Sequence, residues 1–145
     1  MTYAIVQWPH GNQANQKKLS KRMKILLVED HVDTLETVTL LLRRSGHEVL
    51  PTATCAEARS AAQAQTDIGA IVGDLGLPDG DGVDLLVELK KRFGCPTIAL
   101  TAYGMEADVR RCAAAGIDRH LLKPIGVVEL SATLKDLSEA PLKPR

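Results

Sequence analysis

The feature that most constrains this chain is a strict alternation of short apolar runs with longer stretches of helical period. Runs of four or five residues begin at Lys24 (KILLV), His47, Gly69 (GAIVG), Pro96 and Arg119. Short continuous apolar runs of this kind read as strands covered on both faces. Residues 31–44 form a helical stretch with Leu35, Val38, Leu41 and Leu42 on one stripe and Gly46 as its stop. Thr54 and Glu57 have capping-box spacing and open an Ala-rich helix to about residue 65. A loop rich in Gly, Asp and Pro, 75–82, leads into a helix to about residue 92. Helices are expected at 106–115, stopped by Gly116, and at 127–137. Strands that alternate with helices imply parallel pairing with crossover helices on both faces. The expected fold class is α/β: a doubly wound five-stranded parallel sheet, (βα)5, with strand order 2-1-3-4-5.

The chain has 145 residues, enough for one core, and this alternation occupies 23–139. Residues 1–22 contain four basic residues and no acid, and are expected to be a flexible basic extension, with an apolar island from Tyr3 to Trp8. Residues 140–145 form a short basic tail. The body between them carries a net charge of −6, which does not suit a nucleic-acid surface. Aromatic residues are only 3% of the chain, which argues against base-stacking platforms. No run approaches the ~18 apolar residues of a membrane span, and no secretory signal pattern opens the chain. Cys55, Cys95 and Cys112 form no metal-ligand spacing and read as free thiols in a reducing cytoplasm.

In a doubly wound sheet, ligands bind outside the carboxyl ends of the strands at the switch point. Those ends carry Glu29 and Asp30 after the first strand, Asp74 after the third, Thr101 after the fourth, and Lys123 and Pro124 after the fifth. Carboxylates brought within 4–5 Å of each other repel by ~3–4 kcal/mol per pair at an effective dielectric near 20. Such a group stays ionised when a cation joins it, and an all-oxygen set suits Mg²⁺. With Lys123 as a positive charge and Thr101 as a neutral donor, these ends make a pocket for a phosphoryl group beside a carboxylate nucleophile. Asp30 has a second reading as the cap of the helix that follows it. Asp79 and Asp81 read as turn residues. Leu40 lies off the apolar stripe of the first helix and Val32 at its flank, and both are candidates for contact with a partner's helices.

The segments KILLVED, IVGDLGLPDGDG, IALTA and HLLKPI, in this order on successive strand ends, resemble a response-regulator receiver domain over residues 23–139. The resemblance implies a flavodoxin-like sheet and a phosphoacceptor module of a two-component system or phosphorelay. It implies Asp74 as the acceptor, Asp30 as a direct Mg²⁺ ligand with Glu29 beside it acting directly or through water, and Asp74 and the Gly76 carbonyl as further ligands. Mn²⁺ is the alternative ion. It implies Lys123 as the partner of the phosphoryl oxygens, Thr101 as the switch hydroxyl, and a cis peptide before Pro124. The partners it implies are a histidine kinase or a histidine phosphotransfer protein and an unspecified downstream protein, with no nucleic acid and no membrane. The IALTA and HLLKPI segments are similar to receivers of hybrid sensor kinases, so a single-domain regulator and a receiver cut from a hybrid kinase are both open.

The chain departs from the pattern at His120, three residues before the lysine, where an aromatic switch partner is usual. A histidine there makes the switch altered or pH-sensitive. Gly76 offers no side chain near the acceptor, whereas Tyr103 is large enough to shield it, and the two oppose each other in setting self-dephosphorylation. Two other functions compete. A receiver-shaped binding module would not be phosphorylated. An aspartate-nucleophile phosphatase would be a turnover enzyme, but it needs a second Asp where Gly76 stands.

Overall fold

A computed structural model describes residues 22–139. The expected 1–21 part of the extension, with its apolar island, and the 140–145 tail lie outside the described residues.

The strands that line the sheet are β1 (Lys24–Val28), β2 (Glu48–Thr52), β3 (Ala70–Asp74), β6 (Thr97–Thr101) and β7 (Arg119–Leu122). The order is β2-β1-β3-β6-β7 and every neighbouring pair is parallel. This is the expected 2-1-3-4-5 order of main strands, so β1 and β3 flank the point where the winding reverses. Among the described residues five helices complete the layers: α1 (Val32–Arg44), α2 (Cys55–Gln63), α3 (Gly82–Phe93), α4 (Glu106–Ala114) and α5 (Val127–Glu139).

The apolar runs are continuous because each strand residue serves one of two cores. Leu26, Val28, Ile71 and Ala99 pack on one face with Ala58, Leu86, Leu89 and Cys112 from α2, α3 and α4. Ile25, Leu27, Val72, Ile98 and Leu100 pack on the other with Val38, Leu42, Leu130 and Leu134 from α1 and α5. The side chains alternate along each strand while both faces stay dry. All three cysteines are free and buried, as core residues rather than exposed thiols. Burial pushes the Cys95 thiol up to about 11, which keeps it protonated.

Three local features differ from the sequence reading. Strand β2 runs through Pro51 to Thr52. A proline is tolerated there because β2 is at the sheet edge and one side of its backbone needs no partner. The loop after β3 contains a ladder, β4 (Gly76–Leu77) paired antiparallel with β5 (Gly80–Asp81), around a Pro78–Asp79 turn. Helix α1 begins at Val32 with His31 at its cap and no side-chain cap bond, so Asp30 does not cap it.

Helix ends follow expectation more closely. Thr54 Oγ1 accepts the Glu57 N–H at 3.0 Å, the forward half of the capping box. Gly46 and Gly116 have φ of 99° and 90° just past α1 and α4, the left-handed position where glycine is favoured. Val32 and Leu40 are exposed on α1.

Candidate functional site

The carboxyl ends of β1 and β3 bring three acids together. Glu29, Asp30 and Asp74 each offer a carboxylate oxygen, and these oxygens lie within 4.8 Å of one another. Asp74 ends β3 and is 6% exposed, because the strand is covered on both faces. Glu29 is 1% exposed while its neighbour Asp30 is exposed, since successive side chains at a strand end point to opposite sides.

Lys123, in the loop after β7, reaches into this cluster. Its Nζ donates to Asp74 Oδ2 at 2.7 Å and lies 2.9 Å from Glu29 Oε1. The second contact is close but off the line of a hydrogen bond, which leaves Glu29 Oε1 buried without an aligned donor among the described residues. Glu29 Oε2 accepts the His31 N–H at 3.0 Å, and Asp74 Oδ1 accepts the Gly76 N–H at 3.0 Å.

Burial raises the Glu29 carboxyl above its ordinary value, against the opposing pull of Lys123 and the His31 N–H. Burial alone would lower Lys123. The hydrogen bond to Asp74 and then the close Glu29 carboxylate outweigh it, and the ammonium is held above its ordinary value.

Thr101 ends β6 and is buried. Its hydroxyl donates to Leu121 O at 3.4 Å, so it is engaged with β7 and not with Asp74. His120 is exposed on β7 and, with Thr101, Tyr103, Met105, Val109 and Leu122, lines a hollow of about 460 Å³ beside α4. Tyr103 is 91% exposed. The peptide between Lys123 and Pro124 is cis. The fold therefore gathers Glu29, Asp30, Asp74, Gly76 and Lys123 at one point. It sets Thr101 and His120 on β6 and β7, neither hydrogen-bonded to the Asp74 carboxylate.

The donor set fits a hard divalent ion. All the offered atoms are oxygens, one buried carboxylate oxygen has no aligned donor, and three acids face one lysine.

The model of the response regulator receiver domain matches residues 25–135. This chain belongs to that family. The receiver is 35% identical over 112 residues to the KDP operon transcriptional regulatory protein KdpE of Escherichia coli (strain K12), covering 77% of this chain and 49% of KdpE. It is 31% identical over 123 residues to the sensory/regulatory protein RpfC of Xanthomonas campestris pv. campestris, covering 81% of this chain and 17% of RpfC. The chain thus spans about half the length of KdpE and a smaller part of RpfC.

Among solved structures, a CheY-like receiver domain protein from Methanospirillum hungatei JF-1 superposes with a TM-score of 0.76 at 27% identity, covering 82% of this chain and 95% of that one. The receiver domain of sensor histidine kinase PA1611 from Pseudomonas aeruginosa PAO1 superposes with a TM-score of 0.72 at 32% identity, covering 83% of this chain and all of that one. That structure has a magnesium ion coordinated in its active site cleft. Among the described residues of the present receiver, no helix is long and apolar enough to cross a membrane.

Asp79 and Asp81, expected as turn residues, also make contacts outside the turn. Asp81 Oδ1 accepts the Val83 N–H at 2.8 Å and caps α3, while Oδ2 accepts from Arg111 of α4 at 2.9 Å. Asp79 caps α2 from a distant part of the chain. The Asp81–Gly82 pair before an apolar helix was a readable cap signal. Nothing local to Asp79 points to α2.

Proposed function

We propose that this receiver accepts a phosphoryl group on Asp74 from a phosphohistidine of a histidine kinase or histidine phosphotransfer protein, and thereby switches a protein-binding surface. The observation that carries the reading is the Glu29–Asp30–Asp74 cluster with the Lys123 ammonium 2.7 Å from Asp74.

In the transfer, an Asp74 carboxylate oxygen attacks phosphorus, the phosphorus–nitrogen bond of the donor breaks, and the electron pair leaves with the imidazole. Glu29, Asp30, Asp74 and the Gly76 carbonyl would hold Mg²⁺ or Mn²⁺, which supplies charge neutralisation for the phosphoryl oxygens. Lys123 already touches Asp74 Oδ2, so the same ammonium can follow a phosphoryl oxygen without a long movement. The Gly76 N–H orients the nucleophile. The Thr101 hydroxyl gives up only a 3.4 Å bond to Leu121 O when it turns to a phosphoryl oxygen. His120 and the hollow beside α4 then change shape as the readout, a bias on an existing equilibrium. The magnesium in the PA1611 receiver supports the choice of ion.

The test is incubation with acetyl phosphate and MgCl₂, followed by intact-mass analysis. The expected result is a gain of one phosphoryl group by the native protein and none by Asp74→Asn. No gain by the native protein overturns the reading in favour of a binding module that is not phosphorylated. Sustained phosphate release from generic phosphomonoesters overturns it in favour of a phosphatase.

A further inference from the structure

The β4–β5 ladder carries Gly76, whose N–H holds Asp74 Oδ1, yet a two-residue ladder has little stability of its own. Something else must fix it. Asp79, at the tip of its turn, supplies two bonds. Its Oδ1 accepts the Cys55 N–H at 2.8 Å and its Oδ2 accepts the Ala56 N–H at 3.0 Å. These are the first two N–H groups of α2, which the helix itself cannot satisfy. Thr54 Oγ1 takes the third. The carboxylate thus spans 24 residues of sequence to sit on the positive end of a helix, a strong form of hydrogen bond. The backbone N–H groups of Cys55 and Ala56 hold the Asp79 carboxyl below its ordinary value. The hairpin also lies directly on the buried Cys55: a Cβ added to Gly80 would come within 3.1 Å of Cys55 Sγ.

We infer that Asp79 is a positioning residue for the phosphoacceptor site: by pinning the β4–β5 turn to the start of α2, it fixes Gly76 and, through the Gly76 N–H, the Asp74 carboxylate. Gly76 pairs with Asp81 across the ladder, and Asp81 is itself tied to α3 and to Arg111. The hairpin is therefore held from α2 at its tip and from α3 and α4 at its base. Loss of the tip contact leaves the Asp81 ties in place but lets the turn and the strand that carries Gly76 move about them. The consequence for ion binding rests on the function proposed above. The placement of Gly76 does not.

The experiment compares the native protein with Asp79→Ala, Asp79→Asn and Thr54→Ala, all without metal, by amide hydrogen exchange resolved at Gly76. Thr54→Ala weakens the same helix end without touching the hairpin. Exchange at Gly76 is expected to rise about tenfold in Asp79→Ala, the size of effect that a lost cap carries. It rises less in Asp79→Asn, which keeps one accepting oxygen, and is unchanged in Thr54→Ala. Unchanged exchange in Asp79→Ala overturns the inference, and so does an equal rise in Thr54→Ala, which would reduce Asp79 to a helix cap. Should Asp79→Ala fail to fold, Asp79→Asn carries the same comparison. A magnesium titration by calorimetry on the same proteins completes the test. Weaker binding by Asp79→Ala than by the native protein supports the inference. Equal binding despite faster exchange overturns the link from hairpin to site. A native protein that binds no magnesium overturns the proposed function and leaves the exchange result standing.

Discussion

Replacing Lys123 with Met removes the one cation among the described residues that touches Glu29 and Asp74 while keeping most of the side-chain volume. The pairs are 2.9 and 2.7 Å apart, which at an effective dielectric near 20 is about 6 kcal/mol of gross attraction each. Most of that offsets the cost of dehydrating the groups, and breaking a buried pair from one side costs about 3–5 kcal/mol net. Lys123 keeps 27% of its side-chain exposure, so the lower end applies. Lys123→Met is expected to lose about 3 kcal/mol at pH 8, or roughly 10 °C in Tm for a domain of this size. Urea unfolding followed by far-UV circular dichroism measures it, because the only Trp, Trp8, lies outside the described fold. Magnesium should reverse the deficit. The variant has three acids and no competing ammonium, so the ion stabilises it more than the native protein; at a hundredfold excess over the variant's Kd its total stabilisation is about 2.7 kcal/mol. A loss below about 1 kcal/mol, or equal stabilisation of both proteins by MgCl₂, would refute the electrostatic account of the site.

Thr39 is buried on α1 and its hydroxyl has no hydrogen-bond partner among the described residues. Thr39→Val is therefore expected to raise stability by up to about 1 kcal/mol in the same unfolding assay. Gly82 sits where an added Cβ would lie 2.5 Å from Asp74 O and from Leu75 Cα, so Gly82→Ala should cost about 3 kcal/mol, read as a fall in Tm. His47 Nδ1 accepts the Met23 N–H at 3.2 Å, and burial holds the ring below its ordinary pKa. The unfolded chain then binds the proton more readily, so this contribution is complete above about pH 7 and is lost as pH falls through ~6.5 toward the depressed folded value. Urea midpoints between pH 5 and 7.5 should flatten in His47→Gln.

What the sequence made legible follows from which forces act locally. The runs at β1, β3 and β6 announce themselves because strands buried on both faces cannot alternate with polar residues. The extent of the edge strand β2 is not legible, since a proline such as Pro51 breaks a strand everywhere except where one side of the backbone is free. The β4–β5 ladder was hidden because two residues per strand leave no period to read. Within the site, the residue types at the strand ends pointed to a phosphoryl pocket. The division of labour between adjacent Glu29 and Asp30 did not follow, because it depends on which of two successive side chains turns inward. Thr101 was legible as a strand-end hydroxyl, but its engagement with Leu121 O is a tertiary contact across β6 and β7. Asp79 depended on a partner helix remote in sequence.

Five carboxylates crowd the carboxyl edge of this sheet, and what satisfies each sorts them by role. Asp79 meets the N–H groups of Cys55 and Ala56, and Asp81 meets Val83 N–H and Arg111. These follow the ordinary rules of helix capping and contribute to stability where they stand. Glu29 and Asp74 break the rules: both are buried, they share one ammonium, and one Glu29 oxygen lacks an aligned donor, with Asp30 adding a third negative charge within 4.8 Å. A fold optimised for stability would not keep that cluster, since apolar residues of similar size are commonly as stable as buried ions. Violations of local consistency of this kind concentrate where a protein binds or reacts. On the function proposed above, relief of this repulsion would favour the binding of a divalent ion and a phosphoryl group. The capping pair beside it ties the loop to α2 and α3.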